Sequence, residues 1–197
     1  GSAVLAPLAG VADRAMRELC LSYGAAMVTT EMVSAKGFTM GDRKSRELLK
    51  LSDLEHPGAI QLFGYDPTIL AEAAKRVEAE FPSEAIDLNM GCPFPLQAKH
   101  GRGSGILSHT DIIEEVSQAI KERSQLDFSV KMRLGWENSE EWKPVLEILN
   151  STPLTHIALH PRTGVQQYKG NIDIEGFNLF YEECQHPIIY NGDLTTL

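Results

Sequence analysis

The chain has 197 residues and a net charge of −9, with 43% hydrophobic and 23% charged residues. These values predict one globular domain with a sizeable core, and the acidic balance argues against a broad nucleic-acid surface, because phosphate affinity comes from clustered Lys and Arg. No apolar run approaches the roughly 18 residues of a membrane span and no signal-peptide pattern is seen at the start, so we expect a soluble, cytoplasmic protein.

Short apolar or β-rich runs recur along the chain, each followed by a stretch with helical spacing of its apolar residues. The clearest predicted helices cover 67–80 and 111–123, with helix starts at Asp66 and Thr110. This alternation predicts a parallel sheet with covering helices. The seven predicted strands cover residues 3–6, 26–30, 58–62, 85–89, 128–133, 156–160 and 187–191.

Polar residues stand at the end of six of these runs, whereas the first run ends in the small-residue turn 6–10. Strand ends converge in a closed barrel and spread along an edge in an open sheet, so the pattern favours a (β/α)₈ TIM barrel. The alternative is that strands end in polar residues merely because loops begin there. The polar residues are Glu31, Gln61, Asn89, Lys131 with Arg133, His160, and Asn191 with Asp193.

Only seven βα units are visible in the sequence. We therefore expect a single domain over 1–197 that is incomplete at its C-terminus. Residues 193–197 stand where a helix should open before the eighth strand.

The loop after the fourth run presents a cysteine. Asn89 ends the strand, Gly91 permits a turn, and Pro93 restricts the backbone beside Cys92, which predicts a positioned thiol. The glycines within 101–105 suit a loop that passes close to another group, or one that moves as a lid. The alternative for Cys92 is a small buried hydrophobic residue, the common fate of a free cysteine.

The three cysteines of the chain are widely separated and include no C-x-x-C pair. We expect reduced thiols and no metal site.

Two cations alternate with apolar residues in the fifth run, so Lys131 and Arg133 point to the same face of the strand, the barrel interior. A lysine there is costly unless it meets an anion or an electron-rich ring, although pairing with Glu31 or Asp87 is an alternative. Farther on, His160 at a strand end precedes Arg162, a pattern that suits an anionic ligand.

Together these segments resemble the dihydrouridine synthase family. Residues 6–14 are similar to its opening APMAGVTDRAFR, and 30–33 to its SEMV. The most specific combination is Asn-x-Gly-Cys-Pro at 89–93 with H-x-R-T-x-x-Q-x-Y-x-G at 160–170. The resemblance covers essentially the whole chain.

The resemblance implies reduction of a tRNA uridine to 5,6-dihydrouridine, with FMN as cofactor and NADPH or NADH as electron donor. Cys92 would be the general acid that protonates C5 while hydride reaches C6 from the opposite face. The implied flavin contacts are Ala6, Pro7, Leu8, Gln61, Lys131, His160, Asn191, Gly192 and Asp193. The implied substrate contacts are Asn89, Lys99, Arg102, Arg133 and Arg162.

The sequence departs from the family pattern at Leu96, where many members carry a basic residue. It also ends before the eighth strand and the family's C-terminal helical domain, which helps to bind tRNA. Two rival interpretations stay open: another FMN barrel that acts on a free pyrimidine, like dihydroorotate dehydrogenase, and a non-catalytic RNA-binding remnant.

Overall fold

The computed structural model describes residues 2–195 and contains a seven-stranded parallel sheet. From β3 onward the strands lie in chain order, while β1 and β2 both pair with β3 along its length. The sheet curls into a half-barrel, so the predicted TIM-barrel class is confirmed as a partial barrel. The strands are β1 (Val28–Thr29), β2 (Val33–Ser34), β3 (Gly58–Phe63), β4 (Ala85–Met90), β5 (Asp127–Gly135), β6 (Ile157–Thr163) and β7 (Ile188–Tyr190).

Helices alternate with these strands along the described chain. The helix predicted over 67–80 is confirmed, with Pro67 in its first turn and the Asp66 carboxylate accepting from the backbone N of Ile69 at 3.0 Å. The next helix starts at Thr110, as predicted, and its cap position is His109, whose side chain makes no capping hydrogen bond. The helices are α1 (Arg14–Ser22), α2 (Ala35–Thr39), α3 (Arg43–Leu48), α4 (Pro67–Glu80), α5 (Pro95–Ala98), α6 (Thr110–Arg123), α7 (Trp142–Asn150), α8 (Ile174–Glu183) and a 3₁₀ helix over Gly103–Ser108.

The hydrophobic core lies between the sheet and the outer helices. Along β5, Val130 and Met132 belong to this core, so the intervening Lys131 and Arg133 face the barrel interior, as predicted. The same period of two places the polar side chains of the neighbouring strands on the inner face. The helix packing therefore leaves the interior free for polar groups at the strand ends.

Two predicted elements differ from the structure. Residues 3–6 form no strand, and Leu5 makes only an isolated bridge to Val28. Residues 193–195 form no helix, and the rest of the helix predicted over 193–197 lies outside the described residues. None of the described helices is long and apolar enough to cross a membrane.

A buried ion pair joins the start of the chain to the loop before β3. The Arg17 guanidinium donates to the Glu55 carboxylate, and both residues are almost fully buried. We expect Arg17→Met to lower the free energy of unfolding by about 3–5 kcal/mol, because it leaves a buried carboxylate without its partner. Arg14→Met, which breaks an exposed pair with Glu18, should cost less than about 1 kcal/mol. Urea denaturation of both variants measures the difference, and equal losses would contradict this account.

Candidate active site

A cleft of about 270 Å³ opens at the carboxyl ends of the strands. It brings together the polar residues predicted at the ends of β3 to β7, together with the small-residue turn that follows Leu5. A larger groove of about 540 Å³ lies on the outer surface between α6 and α7 and contains none of the predicted site residues. The predicted residues that line the cleft are Ala6, Pro7, Leu8, Gln61, Asn89, Cys92, Lys131, Arg133, His160, Asn191, Gly192 and Asp193.

A chain of hydrogen bonds fixes the floor of this cleft. Asn89 Nδ2 donates to Gln61 Oε1 at 2.9 Å, and Gln61 Nε2 donates to Asp87 Oδ2 at 2.7 Å. Ser129 Oγ donates to the other Asp87 oxygen at 2.7 Å, while burial raises the pKa of that carboxyl. In both Gln61 and Asn89 the amide nitrogen donates a hydrogen bond and the amide oxygen accepts one. These bonds fix the orientation of both side chains.

The backbone around Cys92 is held from two sides. Asn89 Oδ1 accepts from the backbone N of Gly91 at 3.2 Å and of Cys92 at 2.9 Å. On the other side, the Cys92 carbonyl accepts from both the backbone N and Oγ of the fully buried Ser104, each at 2.9 Å. The thiol is therefore presented from a fixed peptide, as predicted, and the residue is half-buried rather than part of the core.

The glycines of the loop 101–105 were predicted either to allow close backbone packing or to let the loop move as a lid. In the structure Gly103 and Gly105 allow close packing. Gly103 has φ +57°, and an added Cβ would lie 2.6 Å from the Cys92 carbonyl oxygen. At Gly105 an added Cβ would lie 2.3 Å from the carbonyl oxygen of Ala98. Gly103–Leu107 is buried, so this part of the loop packs against the Cys92 segment instead of covering it as a lid.

The Lys131 side chain lines the cleft without a protein partner. Among residues 2–195 its ammonium makes no hydrogen bond or ion pair, so the predicted alternative of pairing with Glu31 or Asp87 is not found. The Glu31 carboxylate instead accepts from the backbone N of Gly10. Burial, helped by the charge of Arg133, lowers the pKa of Lys131 to about 8. The ammonium is thus free to bind an acceptor in the cleft.

The His160 ring is a neutral donor. Burial, together with the nearby charges of Arg133, Lys131 and Arg162, lowers the pKa of His160 to about 3. Its Nε2 lies 3.0 Å from Arg162 Nη1, which can only donate, so we assign the ring proton to Nδ1. His160 therefore offers the cleft one N–H and no positive charge.

The predicted cation Arg162 lies outside the cleft lining and is engaged elsewhere. Its guanidinium donates to both carboxylate oxygens of Asp193, at 3.0 and 2.6 Å, and to the Gly170 carbonyl at 2.7 Å. The hydrogen bond from Arg162 lowers the pKa of Asp193. This pair ties the end of β6 to the turn after β7, and the contact with Gly170 adds the loop after β6, so Arg162 holds these segments in position.

Arg133 is also a connecting residue. Its Nε donates to the Gly91 carbonyl at 2.8 Å, and its Nη1 donates to the carbonyls of Thr163 at 3.0 Å and Gln167 at 2.6 Å. The guanidinium carbon lies 5.4 Å from the centre of the Tyr168 ring. Arg133 thus joins the Cys92 loop to the loop after β6, and it lines the cleft as well.

The other two predicted substrate contacts lie farther along the Cys92 loop. Arg102 lines a second, separate cleft on the same rim. Lys99 is exposed and lines neither of the two clefts. Several residues that the sequence reasoning did not assign belong to the site. Met32 and Tyr168 line the cleft, and Ser104 holds Cys92. Tyr168 is the tyrosine of the H-x-R-T-x-x-Q-x-Y-x-G motif, and its place in that motif could have identified it as a site residue.

Within residues 2–195, no group of three or more His, Cys, Asp or Glu side chains is placed to hold a metal ion. The cysteines Cys20, Cys92 and Cys184 are free thiols in the structure.

Comparison with known proteins gives one family. The model of the family "Dihydrouridine synthase (Dus)" matches residues 4–197. The tRNA-dihydrouridine synthase B of Vibrio parahaemolyticus is 33% identical over 97% of this chain and 59% of its own length. That of Pseudomonas aeruginosa is 33% identical over 97% of this chain and 58% of its own length. A probable tRNA-dihydrouridine synthase of Rickettsia conorii is 34% identical over 98% of this chain and 58% of its own length. The chain spans about three fifths of the length of the curated relatives it matches.

Proposed function

The chain belongs to the dihydrouridine synthase family, and we propose that its cleft binds FMN and reduces a uridine of tRNA to 5,6-dihydrouridine, with NADPH or NADH as electron donor. The observation that carries the proposal is the composition of one cleft. It presents a fixed thiol, Cys92, in the same lining as the unpaired ammonium of Lys131 and the neutral ring of His160.

The cleft residues fit the flavin ring in chemical type. The ring carries carbonyl and nitrogen acceptors along one edge, and Lys131 and His160 Nδ1 are donors without a partner among the described residues. Ala6, Pro7 and Leu8 supply an apolar wall for the ring face. At Gly192 an added Cβ would lie 2.8 Å from the His160 ring, so a side chain there would press on one of the proposed donors.

Bound FMN would supply the hydride for C6 of the uracil, which it takes in turn from the nicotinamide. The Cys92 thiol would donate its proton to C5, and the resulting thiolate would regain a proton from solvent. The Lys131 ammonium would stabilise negative charge on the ring edge. Asn89 and Ser104 would hold the peptide of Cys92, so that the sulfur stays in line with the base.

We propose positioning roles for Arg133 and Arg162, in place of the substrate contacts that the resemblance implies. The contacts of Arg162 with Asp193 and of Arg133 with three carbonyls favour positioning of the loops around the cleft. Of the implied cofactor contacts, Asp193 would act on the flavin through this loop geometry, since its carboxylate is already bidentate with Arg162.

The experiment that tests the proposal compares substrates of the reconstituted holoprotein. We expect a yellow protein that oxidises NADPH in the presence of unmodified tRNA and leaves dihydrouridine, read as a mass gain of two hydrogens in one nucleotide. Turnover of free uracil or orotate without turnover of tRNA would favour the free-pyrimidine rival. A colourless protein that still retards tRNA on a gel would favour the RNA-binding remnant.

Ser104 provides a prediction for the positioning of the thiol. We expect Ser104→Ala to lower turnover with tRNA by about 2- to 10-fold, because one hydrogen bond contributes about 0.5–1.5 kcal/mol. Flavin reduction by NADPH should be unchanged, because Cys92 is the one residue of the cleft lining to which Ser104 is hydrogen-bonded in the described part of the chain. Ser117→Ala is the matched control, because Ser117 is equally buried and its Oγ has no hydrogen-bond partner. Equal effects of the two substitutions on turnover would contradict the role of Ser104.

A further inference from the structure

A second cleft, of about 250 Å³, lies on the same rim of the half-barrel. Its lining includes Lys36 after β2, Tyr65 and Asp66 after β3, and His100 and Arg102 from the Cys92 loop. The flavin site proposed above uses none of these side chains. Their clustering is unexpected in a chain with a net charge of −9.

The two clefts are neighbours along two segments of chain. Met32 lines the first cleft and Ser34 lines the second, so two residues of extended chain, about 7 Å, separate the linings there. On β3 the corresponding residues are Gln61 and Gly64. The two clefts therefore adjoin along this rim, on the side of the first cleft that Met32 and Gln61 line.

The second cleft carries free positive charge. Among the described residues Lys36 forms no ion pair, and Arg102 makes one hydrogen bond, to Gln97 Oε1 at 3.3 Å. Asp66 is the carboxylate of the lining, and it is occupied in capping α4 through the backbone N of Ile69. The cationic side chains thus outnumber the carboxylate, and the cleft favours an anion.

The wall of the second cleft is preformed. The Tyr65 ring packs against Gly101, where an added Cβ would lie 2.4 Å from the ring, and meets the His109 ring edge-on at 5.6 Å between centroids. This packing fixes the stretch that carries His100 and Arg102 against the loop after β3. Binding of a ligand here therefore costs little in ordering the loop.

We propose that this second cleft binds a phosphodiester group of the RNA adjacent to the target uridine, with Lys36 and Arg102 as its main contacts. The inference rests on the proposed function, because a target base that leaves its stack brings its flanking phosphate to the rim. It also accounts for RNA binding by an acidic chain: a local pair of cations replaces a broad basic surface.

The test is the salt dependence of tRNA binding by the FMN-loaded protein. We expect the double variant Lys36→Gln, Arg102→Gln to bind unmodified tRNA about 10-fold more weakly, and the slope of log affinity against log salt to fall by about 0.7–0.9 for each phosphate that the variant no longer neutralises. The KM for tRNA should rise, while the rate at saturating tRNA and the rate of flavin reduction by NADPH stay unchanged. The matched control is Lys75→Gln, Arg123→Gln, which removes two exposed charges from α4 and α6.

The outcomes separate the inference from the function on which it rests. If the wild type binds and reduces tRNA while the double variant has the same affinity and salt slope as the control, the inference is wrong and the function stands. A rise in the KM for NADPH in place of tRNA assigns the cleft to the phosphate of the nicotinamide and also overturns it. If the wild type neither binds nor reduces tRNA, both the function and the inference fail.

Discussion

Cys92→Ala is expected to lower the rate of dihydrouridine formation by about 10²- to 10⁴-fold, the usual contribution of a positioned general acid. FMN binding and flavin reduction by NADPH should be retained, because the Asn89 and Ser104 contacts to Cys92 involve only backbone atoms of that residue. Stopped-flow absorbance separates the two half-reactions: reduction by NADPH should match the wild type, and reoxidation by tRNA should be slow.

Cys20→Ala is the matched control for this experiment. Cys20 is also a half-buried free thiol, but it lies on α1 and does not line the cleft. Its replacement should leave both half-reactions unchanged. Normal reoxidation of the Cys92→Ala protein by tRNA would show that Cys92 is structural.

Lys131→Met is expected to lower activity and to raise the stability of the FMN-free protein. Removing the ammonium from the cleft should slow flavin reduction by NADPH by about 10²- to 10³-fold, the usual effect of deleting one preorganised electrostatic group. The same substitution should raise the free energy of unfolding of the FMN-free protein at pH 7 by about 1–3 kcal/mol, because it removes the cost of a partly desolvated charge. Lys75→Met, on the exposed face of α4, should change neither quantity.

The pH dependence of this stability has a defined sign. The folded-state pKa of Lys131 is about 8, below its ordinary value of 10.5, so between these values the unfolded chain binds more protons than the folded one. The FMN-free wild type should therefore gain stability relative to Lys131→Met as pH rises from about 8 to 10.5. Urea denaturation at pH 7 and pH 10 measures the difference. A stability difference that stays constant over this range, with unchanged flavin reduction, would contradict the role given to Lys131.

The strands and outer helices were predictable where the sequence carries a strong period. β5 alternates core residues with Lys131 and Arg133, and α4 follows the cap Asp66. The segment 3–6 was less predictable, because strand formation depends on a neighbouring strand, and there the structure has only the bridge from Leu5 to Val28.

Most of the cleft lining followed from the sequence, but the contacts within it did not. Parallel strand ends meet at one rim, so the convergence of Gln61, Lys131 and His160 required only the fold class. The pairing of Arg162 with Asp193 joins residues 31 apart, and it depends on the path of the turn after β7, which carries no periodic signal. Ser104 was missed for the same reason, since the 3₁₀ helix that carries it returns to the Cys92 carbonyl through tertiary packing.

The most direct test of the central claim is a crystal structure of the protein with bound FMN. The account predicts the flavin ring in the cleft against Ala6, Pro7 and Leu8, with Lys131 Nζ and His160 Nδ1 in hydrogen-bond contact with it. The Cys92 sulfur should face the ring across a space that fits a pyrimidine. A ring bound away from Lys131, or Cys92 on the far side of the sheet from it, would contradict the account.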